Sequence, residues 1–391
     1  MYPNLYYAFK DLFGVEWPFL RFVNSFGFFV AIAFIMAAVV LSAELRRKSK
    51  QGLFQPTEMQ VMVGQPATIW DLGLNFLLGF LLGYKIVALF IMDKSATEDP
   101  QQFIFSTLGS WPAGIGLGLL FAGLKWWEKN KQKLDKPEKR MVRIWPHDRV
   151  GELTILALVF GLLGAKLFDI FENWSSFLEK PAEHIFSAKG LTFYGGLICA
   201  ALAIWWYARK HKIGFWHLND AMSPTMMLAY AIGRIGCQVS GDGDWGIANN
   251  RPKPFSWLPD WAWSYRYPHN VNEIGERIPG CTDTKFYNQL PEGVFPTPLY
   301  EIIACFILFL IIWSLRKRLK VPGTLFAIYL MLNGLERFFI EKIRVNTKMN
   351  FLGLEVTQAE LISTGLFLSG LVLLVVLSRK AGPGVKTPLE N

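Results

Sequence analysis

The chain has 391 residues, of which 52% are hydrophobic and only 18% charged, and its formal net charge is +9. Long runs free of Lys, Arg, Asp and Glu exclude a soluble enzyme and place it in the polytopic membrane class. Topology and lipid attraction account for the basic excess, so nucleic acid is not an expected partner.

Nine apolar segments predict an all-α, polytopic transmembrane bundle, with spans at about 18–42, 69–92, 106–124, 151–173, 191–208, 218–239, 297–315, 322–341 and 357–378. Each is near the roughly 20 residues a helix needs to cross a bilayer. The first lacks a basic leader and a small-residue cleavage site, and Arg46-Arg47-Lys48 follows it, so it reads as a retained helix. With its start outside, the inner loops at 46–50, 125–149, 209–212, 316–320 and 379–386 carry 23 basic residues, against about 12 in the outer segments. That bias puts the N-terminus outside and the C-terminus in the cytoplasm.

Residues 61–130 and 142–210 read as two copies of one helix pair, offset by 81. Val61 matches Val142, Asp71-Leu72 matches Glu152-Leu153, and Leu81-Leu82-Gly83-Tyr84-Lys85 matches Leu162-Leu163-Gly164-Ala165-Lys166. An even number of spans keeps both copies in one orientation, unlike the inverted repeats of many transporters. The repeat thus reads as a tandem duplication of two helices within a single integral domain, 1–391, and 125–149 is a solvated linker.

Tyr194-Gly195-Gly196-Leu197 opens a span at its outer side, where paired glycines admit a backbone or an acyl chain and Tyr194 offers a phenol. Arg234 follows near the outer end of the next span, in Gly233-Arg234-Ile235-Gly236-Cys237. A guanidinium there needs an anion, and a bilayer's commonest anion is a lipid phosphate. The span runs into Gly241-Asp242-Gly243-Asp244-Trp245-Gly246, which fits G-x-G-x-x-G but follows a membrane helix instead of a strand, so a nucleotide is rejected. Its glycines are expected to allow positive φ and close backbone approach, with Asp242 or Asp244 near Arg234.

The long segment 240–296 is the expected extracytoplasmic active face, with the aromatics of 257–263 packed in order at the interface. Cys199 and Cys305 fall inside spans as small packing residues, whereas Cys237 and Cys281 fall outside, as a disulfide or as two separate thiols. Thr297 is the expected cap of the next span, with Glu301 near its positive end. Asn333, Arg337, Glu341 and Arg344 fall within about 80 degrees of one helical arc, with Lys342 pointing away. Two arginines from separate helices can clamp one phosphate. His147, His184, His211, His217 and His269 show no ligand spacing, so no metal and no cofactor is expected. With no nucleophile elbow or Walker lysine, the nucleophile is expected to arrive with a substrate.

Taken in order, Tyr194-Gly195-Gly196-Leu197, Gly233-Arg234-Ile235-Gly236 with Gly241-Asp242 and Trp245-Gly246, Pro296-Thr297-Pro298-Leu299-Tyr300-Glu301, and Glu336-Arg337-Phe338 with Glu341 and Arg344 resemble the prolipoprotein diacylglyceryl transferase family. The resemblance covers about 145–378 plus the first span. It implies a divergent member of a bacterial inner-membrane family, with 61–140 having no counterpart in the usual seven-span form. Such enzymes move the diacylglyceryl group of phosphatidylglycerol onto the lipobox cysteine thiol of a preprolipoprotein, releasing glycerol 1-phosphate at the periplasmic face. The carry-over puts the phosphate on Arg234 with Arg337 as second cation.

Three positions depart from the family pattern: Tyr194 replaces its histidine, Gly236-Cys237-Gln238 its Gly-Asn-Phe, and Ser240-Gly241-Asp242 its Asn-Gly-Glu. A phenol with a pKa of about 10 is a poor base, so Tyr194 is expected to donate a hydrogen bond to the headgroup. Asp242, or Glu341 as second choice, is the expected base for the thiol. The candidate catalytic residues are therefore Arg234, Arg337, Tyr194, Asp242 and Glu341. Candidate phosphatidylglycerol-binding residues are Arg234, Arg337, Gly195, Gly196, Gly246, Asn333 and Arg344, with bulk membrane lipids as further partners. The alternative from another class is a lipid or anion transporter or scramblase, with Lys85 and Lys166 marking a path.

Overall fold

Asn24 ends an irregular entry segment and caps the first long apolar run, its Oδ1 accepting from the Phe26 N–H at 2.8 Å. In a computed structural model that describes residues 1–88, 103, 107–181, 185, 190, 192–281, 285–351 and 353–380, this run is one of eleven α-helices. They are α1 (Leu5–Phe13), α2 (Ser25–Lys50), α3 (Ile69–Leu82), α4 (Trp111–Lys131), α5 (Val150–Glu172) and α6 (Trp174–Glu179), then α7 (Phe193–Lys210), α8 (Phe215–Ser240), α9 (Thr297–Leu315), α10 (Thr324–Glu341) and α11 (Gln358–Lys380). Every predicted span overlaps one long helix. Five of those helices, α2, α3 with its π-helical continuation through Val87, α5, α9 and α11, are long and apolar enough to cross a membrane.

Both boundaries of the first span differ from the sequence expectation, and α4 runs on to Lys131 where 124 was expected. The first span begins at Ser25, because Pro18–Phe22 forms a separate 3-10 turn. It also runs on through Lys50, so the basic residues 46–50 sit on the helix and not in a loop. His184, the span residues 89–92 and the basic tail beyond Lys380 lie outside the described residues.

The chain has two compact units, Met1–Gly14, Val23–Phe54 and Ile213–Asn391 forming one, and Val15–Phe22 with Gln55–Lys212 the other. In the second unit α3 packs on α4 and α5 on α7. Glycines set the spacing. A Cβ on Gly83 would lie 2.3 Å from Ala113 O, and one on Gly164 would lie 2.5 Å from Gly195 O and from Cys199 Cβ. The helices open on matched signals: Thr68 and Asp71 form a capping box on α3, and Ser110 caps α4.

Strands were not expected here, yet β1 (Thr57–Val63) and β2 (Glu138–Ile144) pair antiparallel ahead of the two helix pairs, so the 125–149 linker is partly ordered. An offset of 81 residues carries β1 onto β2 and Ile69 onto Val150. The register is symmetric about Gln60 opposite Met141, two residues that the same offset relates.

In the first unit, α2, α8, α9, α10 and α11 form the bundle. Ala33 and Val40 of α2 pack on Leu228 and Ile232 of α8, and Met227 and Ala231 on the far side pack with Cys305 and Ile312 of α9 and Leu325 of α10. Cys305 is thus the small core residue its position implied. Ion pairs fix one end: Glu44 takes Arg316 Nε at 2.7 Å and Arg47 Nη2 at 2.8 Å, and Asp220 pairs with Lys48 at 3.5 Å. Asp220 also accepts the Gly323 and Phe326 N–H groups at 2.9 and 3.0 Å, so α8 caps α10 and the two helices start side by side.

The segment after α8 is held by the N-terminal residues: Tyr2 N–H donates to Val239 O at 2.8 Å, and Met1 packs with Trp245, Tyr265 and the fully buried Tyr267. Two short strands, β3 (Glu276–Arg277) and β4 (Asn288–Gln289), pair within it. Of the aromatics of 257–263, Trp263 packs edge-on against Phe295 and donates to Arg251 O at 2.9 Å, whereas Trp257 is 74% exposed and Trp261 is 52% exposed. A further hairpin, β5 (Lys348–Phe351) with β6 (Leu354–Thr357), joins α10 to α11.

Candidate active site

Three helix ends meet in the first unit. The C-terminal turns of α8 and α10 bring Arg234 and Arg337 to the start of α9, where Glu301 is 0% exposed. Cations at helix C-termini and a carboxylate near an N-terminus are each favoured by the peptide dipoles. Arg234 Nε lies 3.1 Å from Glu301 Oε2, and Arg337 Nη1 lies 3.2 Å from Glu301 Oε1. Tyr230, one turn before Arg234, donates its hydroxyl to Glu301 Oε1 at 3.0 Å, and Arg337 Nη2 meets Glu341 at 3.2 Å. Two arginines from different helices therefore converge on one buried carboxylate.

The acidic loop closes the cluster from outside. Asp244 bridges Arg234 and Arg344 with one oxygen on each, and Arg344 Nη1 lies 3.6 Å from Glu301. Burial works against the Asp244 charge, but the Arg234 and Arg344 guanidiniums outweigh it and hold the carboxyl below its ordinary 3.8. The Thr297 hydroxyl donates to Asp244 O at 2.6 Å. Gly241 and Gly243 take φ of 65° and 98°, as a loop doubling back this tightly requires. Gly246 has no room for a side chain, because a Cβ would lie 2.4 Å from Ile343 O.

Among the described residues Asp242 forms no ion pair with a guanidinium, and it lies beside Cys237 and Asp244. Burial first, and the Asp244 charge second, push its carboxyl above 3.8. Cys237 Sγ accepts from Arg234 Nη1 at 3.6 Å, and Cys237 and Cys281 remain separate thiols, not a disulfide. Cys237, Asp242 and Asp244 hold their ligand-type atoms within 4.8 Å of one another. Two guanidiniums already occupy Asp244, which disfavours a divalent cation there.

Several expectations change. Arg234 meets Asp244, one of the two carboxylates expected near it, and also Glu301, which was not expected there. Thr297 is the first residue of α9, with Pro296 before it as the cap, and Glu301 lies in the second turn, where it is the centre of the ion network. Arg344 does not share the α10 stripe, because that helix ends at Glu341; a β-bridge between Gly246 and Arg344 delivers it instead. Asn333 lies on α10 one turn before Arg337 and is half-buried. Lys342 does point away, to Glu360 at 2.5 Å.

Tyr194, Gly195 and Gly196 belong to the second unit, at the start of α7 after Thr192. There α5 takes up the faces of both glycines: a Cβ on Gly195 would lie 2.4 Å from Phe168 Cβ, and one on Gly196 2.8 Å from Gly161 O. The close approach they permit is of helix to helix. Reading the sequence missed Glu301 as the hub and Tyr230 altogether. A signal existed for both, since Tyr230 precedes Arg234 by one helical turn and Glu301 is the only carboxylate in the span 297–315.

The model of the family described as prolipoprotein diacylglyceryl transferase matches residues 111–376, more than half of the chain. A phosphatidylglycerol–prolipoprotein diacylglyceryl transferase of Leptospira interrogans is 31% identical over 221 residues, covering 50% of this chain and 61% of that relative. Proteins of the same name from Bacillus cytotoxicus and Clostridium novyi are 28% identical over 247 residues and 29% identical over 229. Those matches cover 63% and 58% of this chain, and 82% and 79% of the relatives. The family match opens at residue 111, so α4 lies within it and α2 before it, unlike the range that the motifs alone implied. With that model matching more than half of its length, the chain belongs to the prolipoprotein diacylglyceryl transferase family.

Proposed function

We propose that this protein transfers the diacylglyceryl group of phosphatidylglycerol to the lipobox cysteine of preprolipoproteins at the outer face of a bacterial inner membrane. The observation that carries this reading is the convergence of Arg234 and Arg337 on Glu301. A guanidinium has five N–H donors, so each arginine can hold its carboxylate and still present part of its fork to a phosphodiester. As the thiolate sulfur bonds to glycerol C3, the C3–O bond breaks and its electron pair goes to the phosphate, which leaves as glycerol 1-phosphate. The arginines stabilise that growing charge. Asp242 takes the thiol proton and passes it to the departing phosphate, with Glu341, already committed to Arg337 and Asn346, as the weaker base. Arg344 and Gly246 hold the acidic loop against the guanidiniums, Asn333 offers its amide to the headgroup, and Tyr194, on the motif order, donates to the headgroup. Gly195 and Gly196 fix where that phenol stands.

Purified protein with phosphatidylglycerol and a lipobox peptide is expected to add one diacylglyceryl mass to the peptide. No mass gain, with lipid moved between leaflets instead, would favour the transporter reading. Because Asp242 must be ionised to act, and its carboxyl titrates above 3.8, kcat/KM is expected to fall on acidification above the ordinary aspartate range. Asp242→Asn removes that acid limb and lowers the rate by about 10²-fold. An unchanged acid limb in Asp242→Asn would place the base elsewhere.

We propose nine spans with the N-terminus outside. Two observations support this: every predicted span has its helix, and Arg47, Lys48 and Arg316 gather with Glu44 and Asp220 at the far end of α8 from Arg234. We further propose that 61–140 duplicates 142–210. Both copies run strand, helix and helix at one offset, their strands pair symmetrically, and the family match already begins within α4. An experimental structure in which a two-fold rotation fails to superpose α3–α4 on α5–α7 would sink the duplication.

A further inference from the structure

Asp244 sits on Arg234 and Arg344 as a phosphate would. Its Oδ2 accepts from Arg234 Nη1 and its Oδ1 from Arg344 Nη2, so one negative charge shared by two oxygens bridges two guanidiniums. The non-bridging oxygens of a phosphodiester carry a single charge in the same way. Among the described residues, three carboxylates pair with the arginines of this cluster, and they differ in access. The side chains of Glu301 and Glu341 are 0% exposed, and the Tyr230 hydroxyl also holds Glu301, whereas the Asp244 side chain is 30% exposed. Asp244 is therefore the one of the three that can exchange its partners for water. Its backbone is pinned. Asn272 Nδ2 donates to Asp242 O at 2.6 Å, the Thr297 hydroxyl to Asp244 O at 2.6 Å and the Gly246 N–H to Phe295 O at 2.8 Å, which leaves the side chain as the part that moves. Two oxygens also fall short of the donors on offer. The Arg344 side chain is 9% exposed, yet its Nη1 makes no hydrogen bond to the described residues and has Glu301 Oε1 at 3.6 Å. A buried donor left unpaired is costly, and a phosphate monoester brings three oxygens where an aspartate brings two.

We propose that Asp244 is the chain's own competitor for a phosphate subsite formed by Arg234 and Arg344: its side chain swings into water as a phosphate takes the two guanidiniums, and returns to displace the glycerol phosphate after transfer. The identity of lipid and product rests on the transferase reading, whereas the exchange of Asp244 with a phosphate needs no turnover. A carboxylate that holds the arginines lowers their affinity for a phosphate ligand in proportion to the time it spends there. The benefit lies in release. The product is a monoester with more charge and one more free oxygen than the diester it comes from, so the guanidiniums alone would hold it longer than the substrate. A mere brace for the loop acts with the opposite sign, since losing it would misplace the arginines and weaken phosphate binding.

The test uses the full chain in phosphatidylcholine nanodiscs, with glycerol 1-phosphate as a soluble probe and phosphatidylglycerol, added to the same discs, as a lipid one. By calorimetry Asp244→Asn, which keeps the size and loses the charge, should bind glycerol 1-phosphate about tenfold more tightly than wild type. Asp244→Glu, which keeps the charge, should stay within about threefold of wild type. A second measurement needs no variant: with 13C-labelled aspartate in the wild-type protein, the infrared difference spectrum on adding a probe should show an aspartate carboxylate leaving its guanidinium-paired frequency. A change with one probe alone supports the exchange and tells the free ester from the lipid headgroup. Equal or weaker binding of glycerol 1-phosphate by folded Asp244→Asn overturns the proposal, as does a difference spectrum with no aspartate change for either probe. If the exchange is seen but wild type never lipidates a lipobox peptide, the transferase reading fails and the role of Asp244 as competitor stands.

Discussion

Glu301→Ala is expected to be the most damaging single substitution in the first unit. It removes the fully buried carboxylate shared by Arg234, Arg337 and Arg344 and leaves three guanidiniums facing Asp244 and Glu341 alone. Breaking a buried ion network on one side costs about 3–5 kcal/mol, because the uncompensated charge stays behind. The thermal transition in detergent should drop clearly, and lipidation should be lost with it. Glu301→Gln separates fold from chemistry, since its amide oxygen still accepts from Tyr230 while the charge is gone. We expect it to fold and to hold phosphatidylglycerol without a weaker KM, the site being more positive, but with a reduced kcat because the arginines lose their common anchor. A Glu301→Ala protein with wild-type melting and wild-type rate would show that the cluster is not organised around this residue.

Arg234→Ala should lower kcat/KM by about 10²- to 10³-fold, equivalent to roughly 3–4 kcal/mol of transition-state stabilisation. Its effect on folding should be the smaller of the two, because Asp244 keeps Arg344 and Glu301 keeps both Arg337 and Arg344. Arg234→Lys tests geometry against charge. Arg234 reaches Glu301 through Nε and Asp244 through Nη1, and the compact ammonium of lysine cannot span both while presenting a flat fork to phosphate. The lysine variant should therefore fold normally and remain well below wild type in rate. Near wild-type lipidation by purified Arg234→Ala would end the assignment.

Periodicity and composition located most of the fold. Each long apolar run became a helix, and the boundary errors came where capping decides the start, as at Asn24, or where an apolar helix continues into charged residues, as at 46–50. The short helix α1 and the ribbon of β1 and β2 were not visible, because half-exposed segments of that length carry no strong apolar pattern. Even so, the repeat that pairs Val61 with Val142 was already marking two strands.

What the sequence determined by itself was the membrane class, the helix positions and the two arginines near helix ends, since these depend on local composition and on the cost of a charge among apolar residues. Only the tertiary structure decided what those arginines meet. Asp244 and not Asp242 closes on Arg234, Arg344 arrives by a β-bridge and not by helical step, and Glu301 moves from the margin of one helix to the centre of three. Pairing between side chains on α8, α9 and α10 depends on how the helices pack and where the loop returns, and no periodicity within a single segment encodes that.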